Sequence, residues 1–136
     1  MNRSAKAIWN GTIKEGSGSL STQSKSLFKM PYSYVSRFEK QTGTDPEELM
    51  AAAHAGCFTM KLSAELTSAG FPPEILVTES VVSLINGTIT CSALTLEAKV
   101  PGITEMRFLQ IAEHAKATCP ISMAIKVEIT LEVRLQ

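Results

Sequence analysis

One stretch constrains this chain more than any other: the run from Thr42 to Pro73. In "TGTDPEEL", Asp45 is a good N-cap, Pro46 suits the first helical position, and Glu48 stands where a capping box takes an acid. Helix-favouring residues then continue to Ala69, where Gly70 and the pair Pro72 and Pro73 stop them. The spacing predicts a helix of about 24 residues, ~36 Å long at the usual rise. That is long for a chain of 136 residues. Its middle, "LMAAAHAGCFTMKL", offers little polar face to water, so part of it is expected to be buried on more than one side.

The helix has β-rich sequence on both flanks. Upstream, "KAIWNGTI" and "GSLSTQS" surround the Gly-rich turn "KEGSG", and "YSYVSRFE" reads as a third strand. "KSLFKMP" between them is apolar enough to be partly covered. Downstream, "ILVTESVVSLI" and "TITCSALTLEAKV" are joined by Asn86-Gly87, a strong hairpin signal. "PGI" ends that segment. "TEMRFLQIAEHAKAT" reads as a second amphipathic helix, "CPISMAIK" as a short one opened by Pro120, and "VEITLEVRL" as a closing strand. The order βββ-α-ββ-α-α-β is α+β with a long central helix and few parallel crossovers. Without repeats, low-complexity tracts or linkers, residues 1–136 are expected to form one domain.

Thirteen basic residues balance thirteen acidic ones, which argues against nucleic acid or an anionic membrane surface as the main partner. No apolar run suits a signal peptide or a membrane span, so a cytoplasmic protein is expected. In a reducing compartment its three cysteines rest as thiols, and a disulfide there is more often redox-active than structural.

Cys57 lies in the middle of the long helix. It reads as a small core hydrophobe or as a reactive thiol, because Ala53, Ala55 and Gly56 leave space beside it. His54, three residues earlier, shares nearly the same face. It reads first as a hydrogen-bonded helix histidine and second as a base. Cys119 precedes Pro120 and falls at a helix N-cap. There the amides and the dipole favour a thiolate, though a boundary residue that merely packs is the alternative. Cys91 sits mid-strand with nothing to activate it and reads as structural. With two histidines and no CxxC or HxxxH spacing, no metal site is expected. No Gly-rich phosphate loop is present.

"GTDPEELMAAAHAGCF", followed some sixty residues later by "TCPIS", resembles the OsmC/Ohr family of thiol-dependent hydroperoxide reductases. The likeness covers nearly the whole chain, and "SRFE" before "GTDPEEL" is similar to the OsmC (osmotically inducible protein C) branch. The resemblance implies an OsmC-like fold, an intertwined homodimer with active sites at the subunit interface, and a part in the response to oxidative and osmotic stress. It implies that Cys57 is the peroxidatic cysteine, passing through a sulfenic acid, and that Cys119 resolves it as a Cys57–Cys119 disulfide. Arg37 would hold Cys57 as thiolate and polarise the peroxide, and Glu47 would orient Arg37. Organic hydroperoxides would be the main substrates and hydrogen peroxide a slower one. No bound cofactor is implied, only an external dithiol reductant such as a lipoyl group.

These roles agree with elementary chemistry. The thiolate is the nucleophile, a fixed guanidinium favours it, and the same donor meets the charge developing on the leaving oxygen. A second thiol captures the sulfenic acid before sulfinic acid forms. Glu47 and Cys57 stand ten residues apart, ~15 Å along a straight helix, so Glu47 or Arg37 is expected to reach the site from the partner chain. Glu48 is the competing acid, assigned to capping. Two other readings stand: a non-catalytic dimeric protein holding an apolar ligand in the same fold, and a cysteine hydrolase built on Cys57 and His54.

Overall fold

The turn "KEGSG" joins two strands, as its composition suggests. In the computed structural model, which describes residues 1–39 and 42–136, β1 (Ala5–Asn10) and β2 (Ser17–Thr22) pair antiparallel, from Ala5 against Thr22 to Asn10 against Ser17. β3 (Met30–Tyr32) joins the free side of β2. Trp9 and Tyr32 bring their rings to 5.3 Å across this sheet.

The expected strand over "YSYVSRFE" needs correction. Only Tyr32 belongs to a strand, and α1 (Tyr34–Phe38) follows. The reason is local. The Ser36 amide donates to Ser33 Oγ at 3.1 Å and the Ser33 amide donates to Ser36 Oγ at 2.7 Å, a reciprocal cap. Tyr34 and Phe38, four residues apart, then stack at 4.7 Å. These elements and the first helical residues after Asp45 make up Met1–Leu49, one of two compact units; the other is Met50–Gln136.

α2 (Pro46–Ser68) starts where the cap predicts. Asp45 Oδ1 accepts the Glu48 amide at 2.8 Å. The Glu48 carboxylate turns to Thr44 Oγ1, 2.6 Å away. At the other end Gly70 takes a φ of +89°. Its amide donates to Thr67 at 3.0 Å and that of Phe71 donates to Leu66 at 2.9 Å, which closes the last turn.

In the second unit, β4 (Ile75–Ile85) and β5 (Thr88–Lys99) form the expected hairpin. Asn86 and Gly87 both take positive φ, 49° and 75°, as a type I′ turn requires. β6 (Glu128–Leu135) lies parallel to β5, from Cys91 against Glu128 to Ala98 against Leu135. A parallel neighbour needs a crossover. α3 (Glu105–Thr118), capped by Thr104, and α4 (Pro120–Ala124) supply it. The element order thus differs from the expected one by α1 alone.

Phe58, Leu62 and Leu66 of α2 pack with Leu94, Leu96 and Ala98 of β5 and with Phe108, Ile111, Ala112 and Ala115 of α3. Burying each large side chain contributes about 1.5–3 kcal/mol. The buried residues of α2 step by four, from His54 to Leu66, and so form one stripe. Burial on more than one side is not met among the described residues. Ala52, Ala53, Gly56 and Met60 are exposed, and a Cβ placed on Gly56 would meet nothing within 4 Å.

Candidate active site

Cys119 ends one helix and opens the next. Its amide donates to Ala115 of α3 at 2.9 Å. Its Sγ accepts the Ser122 amide of α4 at 3.3 Å, while Pro120, which has no N–H to leave unpaired, fills the first helical position. Cys119 is fully buried.

Cys57, on α2, is half-buried, and its thiol lies beside that of Cys119. Burial pushes the Cys57 thiol above its ordinary value of 9.0. The Ile121 amide of α4 pulls it down, and the neighbouring Cys119 thiol pushes it up. No cation offsets the burial among the described residues. The start of α4 therefore bears on both thiols: the Ile121 amide lowers Cys57, and the Ser122 amide donates to Cys119 Sγ. Cys91 belongs to β5, where Ser92, Leu94, Leu96 and Ala98 point into the core; strand alternation turns Cys91 to the opposite face.

His54 lies on the buried stripe of α2 with no solvent exposure. Its Nδ1 is 2.6 Å from Ser92 Oγ and its Nε2 is 2.8 Å from Ser122 Oγ. Burial lowers its pKa from the ordinary 6.5 and so favours the neutral ring. Ser122 Oγ also lies 3.0 Å from Cys119 Sγ, and Ser92 Oγ lies 3.1 Å from Ser80 Oγ. The serines escaped the sequence reading. The one available signal was local: Ser122 follows the Cys119 cap by three positions, where a capping contact forms.

In the first unit, Arg37 of α1 meets Glu47 of α2. Arg37 Nε donates to Glu47 Oε2 at 3.0 Å, and Nη2 donates to Oε1. The hydrogen bond from Arg37 holds the Glu47 carboxyl below the usual carboxylate range despite opposing burial. The same bond raises Arg37. Of the two neighbouring acids, Glu47 takes the arginine, while the Glu48 carboxylate takes Thr44 Oγ1 and does not complete the expected capping box on the Asp45 amide. The guanidinium carbon sits 5.1 Å from the Phe38 ring centre, in a small cleft that Trp9, Ile13, Tyr32 and Tyr34 also line. Among the described residues, no three His, Cys, Asp or Glu side chains gather as a metal site.

The family model of OsmC-like proteins matches residues 39–134. The chain is 45% identical over 140 residues to Peroxiredoxin OsmC of Escherichia coli (strain K12), covering 100% of this chain and 98% of that protein. It is 32% identical over 94 residues to an Organic hydroperoxide resistance protein of Xanthomonas axonopodis pv. citri (strain 306), covering 65% and 66% of the two. The crystal structure of an OsmC like protein from Mycoplasma pneumoniae shares the fold, with a TM-score of 0.78 and 13% identity over 99% of this chain and 97% of that one. With both close thiols and Glu47 inside the matched segment, the chain belongs to the OsmC-like protein family.

Proposed function

We propose that this chain is a thiol-dependent peroxidase that reduces organic hydroperoxides and, more slowly, hydrogen peroxide. The observation that carries this reading is the Cys57 thiol lying beside the Cys119 thiol at the first amides of α4. Similarity to proteins named Peroxiredoxin OsmC and Organic hydroperoxide resistance protein supports it.

The Cys57 thiolate attacks the outer peroxide oxygen, the O–O bond breaks, and the alkoxide leaves as alcohol after taking a proton. Cys57 becomes a sulfenic acid. Cys119 then closes a disulfide and releases water, before more peroxide drives Cys57 to sulfinic acid. An external dithiol, such as a lipoyl group, reopens the bond.

Burial raises the Cys57 thiol, so a cation has to reach it for the thiolate to form at neutral pH. Arg37, fixed by Glu47, is our choice, supplied in a homodimer with active sites at the subunit interface. Two exposed apolar surfaces suit such a dimer: the small-residue face of α2 at Ala52, Ala53 and Gly56, and Ile75, Val77 and Val81 on β4. Among the described residues no helix is long and apolar enough to cross a membrane. A cytoplasmic setting, where thiols rest reduced, suits the cycle.

Peroxide consumption coupled to dihydrolipoamide tests the reading. Turnover of cumene hydroperoxide faster than hydrogen peroxide is expected. A chain that consumes neither would contradict it.

A further inference from the structure

Three of the four buried polar residues among those described, His54, Ser92 and Ser122, are joined in one cluster. Burying polar groups costs free energy unless they are hydrogen-bonded, and no buried side-chain N or O among the described residues lacks a partner. The cluster also has a direction. Its contacts run from Cys119 Sγ to Ser122 Oγ at 3.0 Å, to His54 Nε2 at 2.8 Å, from Nδ1 to Ser92 Oγ at 2.6 Å, and to Ser80 Oγ at 3.1 Å. One end is a fully buried thiol; the other is the hydroxyl of Ser80, a part-buried residue of β4.

Hydrogen counting leaves the neutral ring two consistent arrangements. In the first, the Cys119 thiol donates to Ser122, Ser122 donates to Nε2, Nδ1–H donates to Ser92, and Ser92 donates to Ser80. In the second, each proton has moved one place along. Nε2–H donates to Ser122, whose hydroxyl donates to a Cys119 thiolate, and the last proton leaves from Ser80 to solvent. The Ser122 amide, 3.3 Å from Sγ, is a further donor to that thiolate. No imidazolium is needed at rest in either state, in keeping with the buried ring.

We infer that Ser122 and His54 are a proton relay for the resolving thiol, carrying the proton of Cys119 through Ser122 Oγ and the His54 ring to Ser92 and Ser80 as Cys119 attacks the Cys57 sulfenic acid. This rests on the two-cysteine function proposed above. Cys119 has no contact with solvent, so a base in water cannot reach its proton, and this path gives that proton an exit. The step balances. Cys119 Sγ gives its electron pair to the Cys57 sulfur, the S–S bond forms and the S–O bond breaks. Cys119 sulfur is oxidised as Cys57 sulfur is reduced. Hydroxide leaves part-buried Cys57 and takes a proton from solvent, replacing the one released at Ser80, and one water results. Ser122 touches the reacting sulfur; His54 acts through Ser122 and is a positioning residue.

The test uses the full chain and one equivalent of cumene hydroperoxide. Dimedone trapping reads the sulfenic acid, and mass analysis after acid quench reads the disulfide. In Ser122→Ala and His54→Gln, the ratio of the closing rate to the Cys57 oxidation rate is expected to fall roughly 100-fold, as for loss of a positioned acid–base group. Ser122→Thr, which keeps the hydroxyl, is expected to recover most of it. Closing in the unaltered protein is expected to slow in D2O, with this isotope effect shrinking in Ser122→Ala. Unchanged closing in Ser122→Ala, or no isotope effect in the unaltered protein, would overturn the relay while leaving the peroxidase reading intact. If Ser122→Ala does not fold, His54→Gln and the isotope effect decide. If the unaltered protein never closes the disulfide, the peroxidase reading falls and the relay falls with it.

Discussion

Arg37 and Glu47 meet through two parallel hydrogen bonds, Nε to Oε2 at 3.0 Å and Nη2 to Oε1, from the short helix α1 and the first turn of α2. A carboxylate that takes both arms of the fork fixes the plane of the guanidinium as well as its charge. If this guanidinium serves Cys57, its loss removes both thiolate stabilisation and a donor to the leaving oxygen. Arg37→Met is expected to slow Cys57 oxidation by cumene hydroperoxide about 100-fold, the effect of losing one oxyanion donor. Arg37→Lys should recover only part, because an ammonium lacks the fork. Stopped-flow oxidation rates check this; an unchanged rate in Arg37→Met would take Arg37 out of the chemistry.

Acid should weaken the same pair. The folded carboxyl of Glu47 titrates below its ordinary 4.5, chiefly through the hydrogen bond from Arg37. Its contribution is present in full above the unfolded value and is lost as pH falls through the folded one. Glu47→Gln should flatten this part of the acid limb in urea unfolding. An identical acid limb in the variant would show that the pair adds nothing to stability.

His54 gives a separate pH dependence of the same sign. Burial lowers its folded pKa below 6.5, so between the two values the unfolded chain binds more protons. Stability should therefore be level above about pH 6.5 and decline as pH falls toward the folded pKa. Urea midpoints at intervals from neutral pH downward, compared with those of His54→Gln, should show a slope in this window for the histidine protein alone. Equal slopes would contradict a neutral buried ring.

Leu62 sits at the middle of the buried stripe of α2, fully enclosed by β5 and α3 side chains. Leu62→Ala should cost about 2–5 kcal/mol through lost transfer and the cavity left behind. Urea unfolding with an unchanged slope would report it. A loss below about 1 kcal/mol would mean that this side chain is not enclosed as described.

Much of this architecture is legible because it is written locally. Asp45 with Pro46, Asn86 with Gly87, and Cys119 with Pro120 each specify a backbone event through their own hydrogen bonds or φ preference. α1 was not legible. Tyr, Val and Phe at positions 34, 35 and 38 suggest a strand, and the cap that overrules them joins Ser33 to Ser36 with no acid to announce it. The parallel pairing of β6 with β5 depends on which strand the crossover reaches, and the strand's own alternation is silent on that. The cluster around His54 was hidden for a simpler reason. Ser92 lies 38 residues away and Ser122 lies 68, and only the folded second unit brings them together.

The small residues of α2 invite a test of assembly. Ala53 is exposed within the chain, so a larger side chain there strains nothing internal. In a close helix interface it would overpack, at about 1–3 kcal/mol. Ala53→Leu is therefore expected to fold normally and to shift sedimentation from dimer toward monomer. A variant that stays fully dimeric with unchanged turnover would place the interface elsewhere.

The two neighbouring thiols are the centre of the proposed mechanism, and they can be counted. Free thiols on the purified protein should number three before one equivalent of cumene hydroperoxide. Afterwards Cys91 alone should remain free, and mass mapping should join Cys57 to Cys119. Three unchanged thiols, or a bond made through Cys91, would contradict the two-cysteine mechanism and return Cys57 to the role of a packing residue.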